Sequence, residues 1–292
     1  MTRPFFDGSV ALYGAGRMGQ HHARHLQALA RRVVVIDPAL GLTAELGQID
    51  AVVVATPTNT HHAVAEPWLA RGVPTLVEKP LASVSLEAES LAEYPNLSVG
   101  HIERYNPAFR VLVEGGAASG GAAVSSAAAP RFVQADRLAP WTNRSFDADV
   151  VFDMMIHDLD LFLVLTQGEE IAEVRANGVS VTTSALDIAH ARIETVSGRV
   201  GLFAASRISR RPLRSLRVFG PGSYWSIDLG EKSAARVGAD LKEEVITVPP
   251  TDALESELRA FLGAVATGAP MPISGSEALA SIRLADRIRC AC

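Results

Sequence analysis

Cysteine is nearly missing from this chain: two in 292 residues, Cys290 and Cys292, with one residue between them. That spacing is poor geometry for a disulfide, and two thiols are too few to hold zinc, so both read as incidental reduced thiols. Long apolar runs are missing too. The opening residues, Met1 to Asp7, lack the apolar stretch of a signal peptide, and no segment approaches the roughly 20 apolar residues of a membrane span. The expectation is a cytoplasmic protein with no membrane partner. A strong charge of either sign is also lacking. The net charge of -5 gives no general attraction to nucleic acid or to an anionic surface. With 48% hydrophobic and 20% charged residues the composition is that of a folded globular protein, which excludes overall disorder. The length suits two domains.

What is present is a change of pattern along the chain. From Val10 to about Ile102, short β-branched apolar runs alternate with helical stretches, the signature of a parallel sheet built from βαβ units. Strands are expected at 9–13, 32–36, 51–55, 74–77 and 97–101, with helices near 18–30, 61–71 and 85–93. Beyond Pro107 the pattern is a strand near 131–136, a helix over Val150 to Leu165, then strands at 173–182, 187–196, 199–207, 214–220 and 223–229. These are joined by turns such as Ser197-Gly198 and Gly220-Pro221-Gly222. Helices near 252–267 and 274–289 close the chain. The class is α/β: a doubly wound parallel sheet over 1–105, then an α+β domain over 106–292 with a mainly antiparallel sheet, its last helix free to pack back on the first domain. Gly115 to Ala129, nearly all Gly, Ala and Ser, has too little apolar bulk for a core element. It reads as a surface loop, with a substrate lid as the alternative.

The first expected strand runs into Gly14-Ala15-Gly16-Arg17-Met18-Gly19, and a helix follows. Glycines at these spacings allow a tight turn, close approach of backbone N–H groups to a pyrophosphate, and close packing of helix on strand, with the helix N-terminus favouring negative charge. Asp37, 18 positions after Gly19, stands where a carboxylate accepts hydrogen bonds from the adenosine ribose and repels a 2′-phosphate. NAD is therefore favoured over NADP, with Arg31 and Arg32 close enough to keep NADP open. Asp37 also suits a cap or turn before Pro38. After the third strand, Thr56-Pro57-Thr58-Asn59-Thr60-His61 lies at the carboxyl edge of the sheet, where such folds bind ligands. Thr60 also suits a helix cap. His21, His22 and His25 lack a companion carboxylate cluster at metal-ligand spacing and read as surface or packing residues, so no metal is expected.

Two further motifs can move a proton. Glu78-Lys79-Pro80 ends the fourth strand on the same edge, where a lysine can hold a substrate hydroxyl. Glu78 is free to pair with Lys79 or orient other groups, and Pro80 stiffens the exit. Asp153 and His157, four apart on a largely apolar helix, project from one face, and histidine suits removal of a hydroxyl proton near neutral pH. Asp158 and Asp160 read as caps or salt-bridge partners.

Together these motifs resemble the Gfo/Idh/MocA oxidoreductase family over nearly the whole chain. The resemblance implies an N-terminal Rossmann domain, a C-terminal domain with an open antiparallel sheet, and an NAD(P)-dependent sugar dehydrogenase acting on a CH–OH group. It also implies pairing through that sheet as a homodimer or homotetramer. By the same resemblance Lys79 contacts the reacting hydroxyl, His157 is the acid/base, and Asp153 positions substrate. Gly14, Gly16, Arg17, Met18, Gly19, Asp37, Thr56, Pro57, Thr58, Asn59, His61, Glu78 and Lys79 would form the cofactor site. The segments Val99 to Pro107 and Val150 to Asp160 resemble the subgroup containing UDP-N-acetylglucosamine 3-dehydrogenases. In that subgroup Arg104, Tyr105 and Asn106 would line the sugar pocket, and Arg137 or Arg144 would meet the diphosphate. Dehydrogenases of free sugars or inositol, and a non-catalytic NAD-linked sugar sensor, are the alternative readings.

Overall fold

A computed structural model of the chain describes residues 4–43, 45–114, 130–142 and 148–292. Arg144 and the Gly115–Ala129 segment lie outside the described residues. The chain divides into two compact units: Met1–Ile102 with Asp252–Leu279, and Glu103–Thr251 with Ala280–Cys292.

The first unit is a five-stranded sheet of β1 (Phe6–Tyr13), β2 (Ala30–Ile36), β3 (Ala51–Val54), β4 (Thr75–Glu78) and β5 (Leu97–Gly100). Their order is β2-β1-β3-β4-β5 and every pairing is parallel. The strands read as continuous apolar runs because both faces are covered; Ala51 to Val54 are fully buried. Helices α1 (Arg17–Leu29), α2 (His61–Leu69), α3 (Ser85–Ala92) and α6 (Ala253–Thr267) surround it, and α7 (Gly275–Ala291) begins in this unit. Leu254, Leu258, Phe261 and Leu262 of α6 share one core with Val10 and Leu12 of β1 and Leu26 and Leu29 of α1. The strand order reverses between β1 and β3, so the loops leaving those strands flank the ligand crevice of a doubly wound sheet.

The second unit carries an eight-stranded sheet. Its strands are β6 (Phe132–Leu138), β7 (Ile171–Val179), β8 (Ile188–Thr195), β9 (Val200–Ser206), β10 (Leu213–Gly220), β11 (Ser223–Asp228), β12 (Ser233–Gly238) and β13 (Glu243–Ile246). The order is β13-β12-β11-β10-β6-β9-β8-β7, antiparallel except for the β6–β9 pair. α4 (Pro107–Val113) packs near β11 and β12, and α5 (Ile156–Leu165) near β6 and β9. Gly201 is required beneath α5, because a Cβ there would lie 2.5 Å from the Phe203 ring and 3.1 Å from the Phe162 ring. Three features differ from the expected elements. α4 is an additional helix, β12 and β13 extend the sheet beyond 229, and the expected helix over 150–165 opens with a π-helical turn, Val151–Met155, before α5. Among the described residues no helix is long and apolar enough to cross a membrane.

Candidate active site

In the first unit the three glycines divide the work expected of them. Gly14 has a positive φ of 94°, and a Cβ there would meet the Ala55 carbonyl oxygen at 2.5 Å, so the loops after β1 and β3 touch. A Cβ on Gly19 would lie 1.9 Å from the Gly14 oxygen, which locks α1 against the end of β1. A Cβ on Gly16 would meet nothing within 4 Å. Gly16 therefore faces open space at the N-terminus of α1, where no side chain caps the first turn and no acidic residue occupies it. An uncapped helix N-terminus beside an open glycine fits a dinucleotide pyrophosphate.

Asp37 is half-buried and its Oδ2 accepts from the Ala15 N–H at 2.8 Å, so the carboxylate stands against the glycine loop. It precedes a 3-10 turn at Pro38–Leu40 without capping it by its side chain. Arg32 donates to the carbonyls of Leu46 (2.8 Å) and Glu45 (3.3 Å), and Arg31 lies 3.7 Å from Asp7. Arg17, Pro57 and Asn59 are exposed, and Met18, Thr56 and Thr58 half-buried. Thr60 occupies the position before α2, yet its hydroxyl bonds the Pro57 carbonyl (2.7 Å) and the Thr56 hydroxyl (2.8 Å) instead of capping.

His61, expected at the cofactor, is 1% exposed and ties the loop after β3 to the turn after β4. Its Nδ1 lies 3.0 Å from the Pro80 carbonyl and its Nε2 3.0 Å from the Thr56 carbonyl. Only an imidazolium donates to both. Burial pulls its pKa below the ordinary value, while those carbonyls, the Leu81 backbone and the charge of Glu78 pull the other way. Glu78 is buried as well. Its Oε1 lies 2.6 Å from Nε2 of the fully buried His22, and its Oε2 accepts from the Lys79 N–H at 3.2 Å. Burial pushes the Glu78 carboxyl up, but His22, Lys79 and His61 outweigh it and leave it below the ordinary value. Lys79 is half-buried at the strand exit.

In the second unit Asp153 and His157 occupy one accessible corner of a nearly sealed helix. Between Val150 and Leu163 every residue is buried except Asp153, Met154 and His157. Asp149 Oδ1 accepts from the N–H groups of Val151 (2.9 Å) and Phe152 (3.1 Å) and starts the π-helical turn that carries Asp153. Such turns recur at functional sites.

The polar residues around this corner are largely committed within the protein. Arg137, expected at a diphosphate, is 4% exposed. It donates twice to Asp158 (2.9 and 2.8 Å) and once to Glu103 (2.8 Å), so it is an internal strut rather than an open phosphate ligand. Burial raises the Asp158 carboxyl against the pull of Arg137. Burial also pushes Glu103 upward, but the charge and hydrogen bond of Arg137, helped by Asn106, leave it below its ordinary value. Asn106, expected in the sugar pocket, is buried. It caps α4 by accepting from Ala108 N–H (3.1 Å) and donates to Glu103 and to the Leu229 carbonyl, each at 2.9 Å. Arg104 forms a two-pronged pair with the buried Asp160 at 2.8 and 2.7 Å, and Tyr105 beside it is half-buried.

Asp158 is a salt-bridge partner, one of the two roles expected of it, with Arg137 as its partner; sequence reasoning missed Glu103 as the second partner of Arg137, and His22 as the partner of Glu78. His22 was discoverable: with Leu26 and Leu29 it falls on the buried face of α1. Among the described residues no cluster of His, Cys, Asp or Glu could hold a metal ion.

Comparison with known proteins matches residues 41–96 to the oxidoreductase family with NAD-binding Rossmann fold, and residues 123–223 to the GFO/IDH/MocA C-terminal domain. The chain is 35% identical, over 91% of each chain, to a UDP-N-acetylglucosamine 3-dehydrogenase of Acidithiobacillus ferrooxidans. The solved structure of the UDP-N-acetylglucosamine 3-dehydrogenase GnnA from that organism superposes with a TM-score of 0.86 at 34% identity, covering 98% of this chain and 97% of its own. An inositol 2-dehydrogenase of Rhizobium meliloti is 26% identical over 94% of each chain.

Proposed function

The chain belongs to the Gfo/Idh/MocA oxidoreductase family, with an NAD-binding Rossmann domain, and from that membership we propose that it oxidises the C3 hydroxyl of UDP-N-acetylglucosamine to a 3-keto nucleotide sugar. The observation that carries the chemistry is the polar pair Asp153 and His157, two of the three residues of the 150–163 segment that are not buried. The substrate class rests on the likeness to the Acidithiobacillus enzyme over nearly the full chain.

In this reading Asp153 holds a substrate hydroxyl and the His157 imidazole takes the proton from O3. The Lys79 ammonium steadies the negative charge that develops on that oxygen. Bound NAD supplies the acceptor for the hydride leaving C3. Gly14, Gly16 and Gly19 shape the pyrophosphate cradle. Asp37 takes the adenosine ribose, and with Arg32 committed to carbonyls this favours NAD over NADP. With Arg137 sealed, the diphosphate of the substrate falls to Arg144. The eight-stranded sheet is the face through which copies pair as a dimer or tetramer; light scattering of the purified protein tests this, and a monomer at working concentration would refute it.

The test is NADH formation with purified protein, NAD and UDP-N-acetylglucosamine, with the keto product trapped. H157Q is expected to lose about 10²- to 10⁴-fold in kcat, and K79A to lose turnover while NAD affinity is retained. Full turnover by K79A would remove the assignment. Silence toward this substrate with NAD binding intact would favour a free sugar or cyclitol, and silence across such a panel a sensor.

A further inference from the structure

Beneath the turn that carries Lys79 lies a buried polar group that the proposed chemistry does not use. Glu78 lies 2.6 Å from His22 on one oxygen and accepts the Lys79 backbone N–H on the other. His22 is 0% exposed, and among the described residues its Nδ1 has no hydrogen-bond partner, so Glu78 is the one hydrogen-bond partner of the ring among them. The site is shaped for this carboxylate. Glu78 pairs with Gly100 of β5, and a Cβ at Gly100 would lie 3.2 Å from Glu78 Oε2 and 3.3 Å from its Cα, so any larger residue would press on the carboxylate. A buried carboxylate is costly unless paired and hydrogen-bonded, and here both conditions are met by one residue of α1 and the main chain of Lys79.

We propose that His22 and Glu78 are a positioning pair for Lys79: His22 holds Glu78 ionised, and Glu78 fixes the main chain at Lys79 and sets a permanent negative charge beside its ammonium. The inference rests on the reading of Lys79 as the residue that meets the reacting hydroxyl. It extends that reading to a residue of the glycine-loop helix, so that α1 serves the cofactor at its first turn and the lysine one turn later. The titratable groups facing Glu78 are His22 from α1, His61 from α2, Lys79 from its own turn and Glu257 from α6. Burial and the charge of Glu78 raise the Glu257 carboxyl well above its ordinary value, whereas Glu78 is held below its own, so of the two acids Glu78 is the one that favours the anion.

Lys79 is one of only three lysines, with Lys232 and Lys242 exposed in the other unit, so its ionisation can be read directly. Reductive ¹³C-methylation of the full-length protein, with the Lys79 signal assigned by its loss in K79R, gives an NMR titration independent of turnover. E78Q, which keeps the shape and removes the charge, is expected to lower the Lys79 titration midpoint by about one pH unit and to leave Lys232 and Lys242 unmoved. H22L is expected to shift Lys79 in the same direction, because Glu78 without its partner takes up a proton. H22Q, which can still donate to Glu78, is expected to restore the wild-type midpoint. With substrate, the alkaline limb of the kcat–pH profile is expected to move down by about the same one pH unit in E78Q and H22L, following the Lys79 midpoint. An unmoved Lys79 midpoint in either folded variant overturns the proposal, and if E78Q does not fold, H22L and H22Q decide it. A wild-type protein inert toward UDP-N-acetylglucosamine but with Lys79 still coupled to Glu78 would sink the substrate reading and leave the positioning pair standing.

Discussion

At the scale of single residues, burial decides which ionisable groups remain available for chemistry. Arg137 and Asn106 have the right chemistry for a phosphate and a sugar, yet both are sealed and saturated by Glu103, Asp158 and the Leu229 carbonyl. Removing one member of such a buried set leaves an uncompensated charge and costs about 3–5 kcal/mol. Glu257 is the opposite case, a buried acid whose two oxygens have no hydrogen-bond partner among the described residues. Its pKa is raised well above the ordinary 4.5 by burial and by Glu78. The folded protein therefore keeps this proton at pH values where the unfolded chain has lost it. The folded state binds more protons across that window, so its stability falls as pH rises from about 4.5 toward the folded pKa. E257Q removes this dependence. It is expected to raise Tm relative to wild type at pH 7–8 and to leave it unchanged near pH 4, and equal Tm differences at both pH values would refute the assignment. None of this was legible in the sequence. A glutamate on an amphipathic helix reads as solvent-facing until the fold shows α6 packed in the core of β1 and α1.

At the scale of elements, the glycine loop gives a paired prediction. G19A places a methyl 1.9 Å from a backbone oxygen that cannot move without shifting α1. It is expected to cost about 1–3 kcal/mol in urea denaturation and to lower NAD affinity as well. G16A meets nothing within 4 Å, so its stability is expected to match wild type while NAD affinity falls, because the methyl enters the space assigned to the pyrophosphate. Calorimetric titration with NAD separates the two, and unchanged affinity in G16A would remove the cradle from that position. The elements themselves were readable where both faces are buried. The buried run Ala51 to Val54 announces a strand, the half-buried run Val33 to Ile36 announces one at the sheet edge, and the switch to turn-linked strands after Pro107 announces the second sheet. β12 and β13 were not readable, because Ser233–Gly238 and Glu243–Ile246 lie toward a sheet edge and bury little: only Ala234 is buried among the ten residues. The π-helical turn has no sequence signal either, since Val151 to Met155 fits α-helical periodicity equally well. Asp153 and His157 are nevertheless conspicuous in the sequence, because two polar residues in so apolar a stretch stand out however the turn is wound.

At the scale of the whole molecule, neither unit is a continuous piece of chain. Residues 252–279 return to the first unit, and 280–292 belong to the second. Four residues of the core around β1, namely Leu254, Leu258, Phe261 and Leu262, come from α6. At about 1.5–3 kcal/mol each they represent about 6–12 kcal/mol of burial, comparable to the net stability of a typical domain. A fragment of residues 1–102 is therefore expected to show no cooperative unfolding transition by circular dichroism, and adding 252–292 in trans is expected to restore one. A sharp transition from 1–102 alone would refute this. The same return of α6 governs how the protein is born. As the chain leaves the ribosome, the glycine loop, Lys79 and all five strands of the first sheet emerge early, but that sheet must wait, with the core it shares with α1 only partly covered, for roughly 150 further residues before α6 can close it. The unit that holds the cofactor begins first and finishes late, so a nascent chain stalled before residue 252 exposes a half-covered parallel sheet to aggregation.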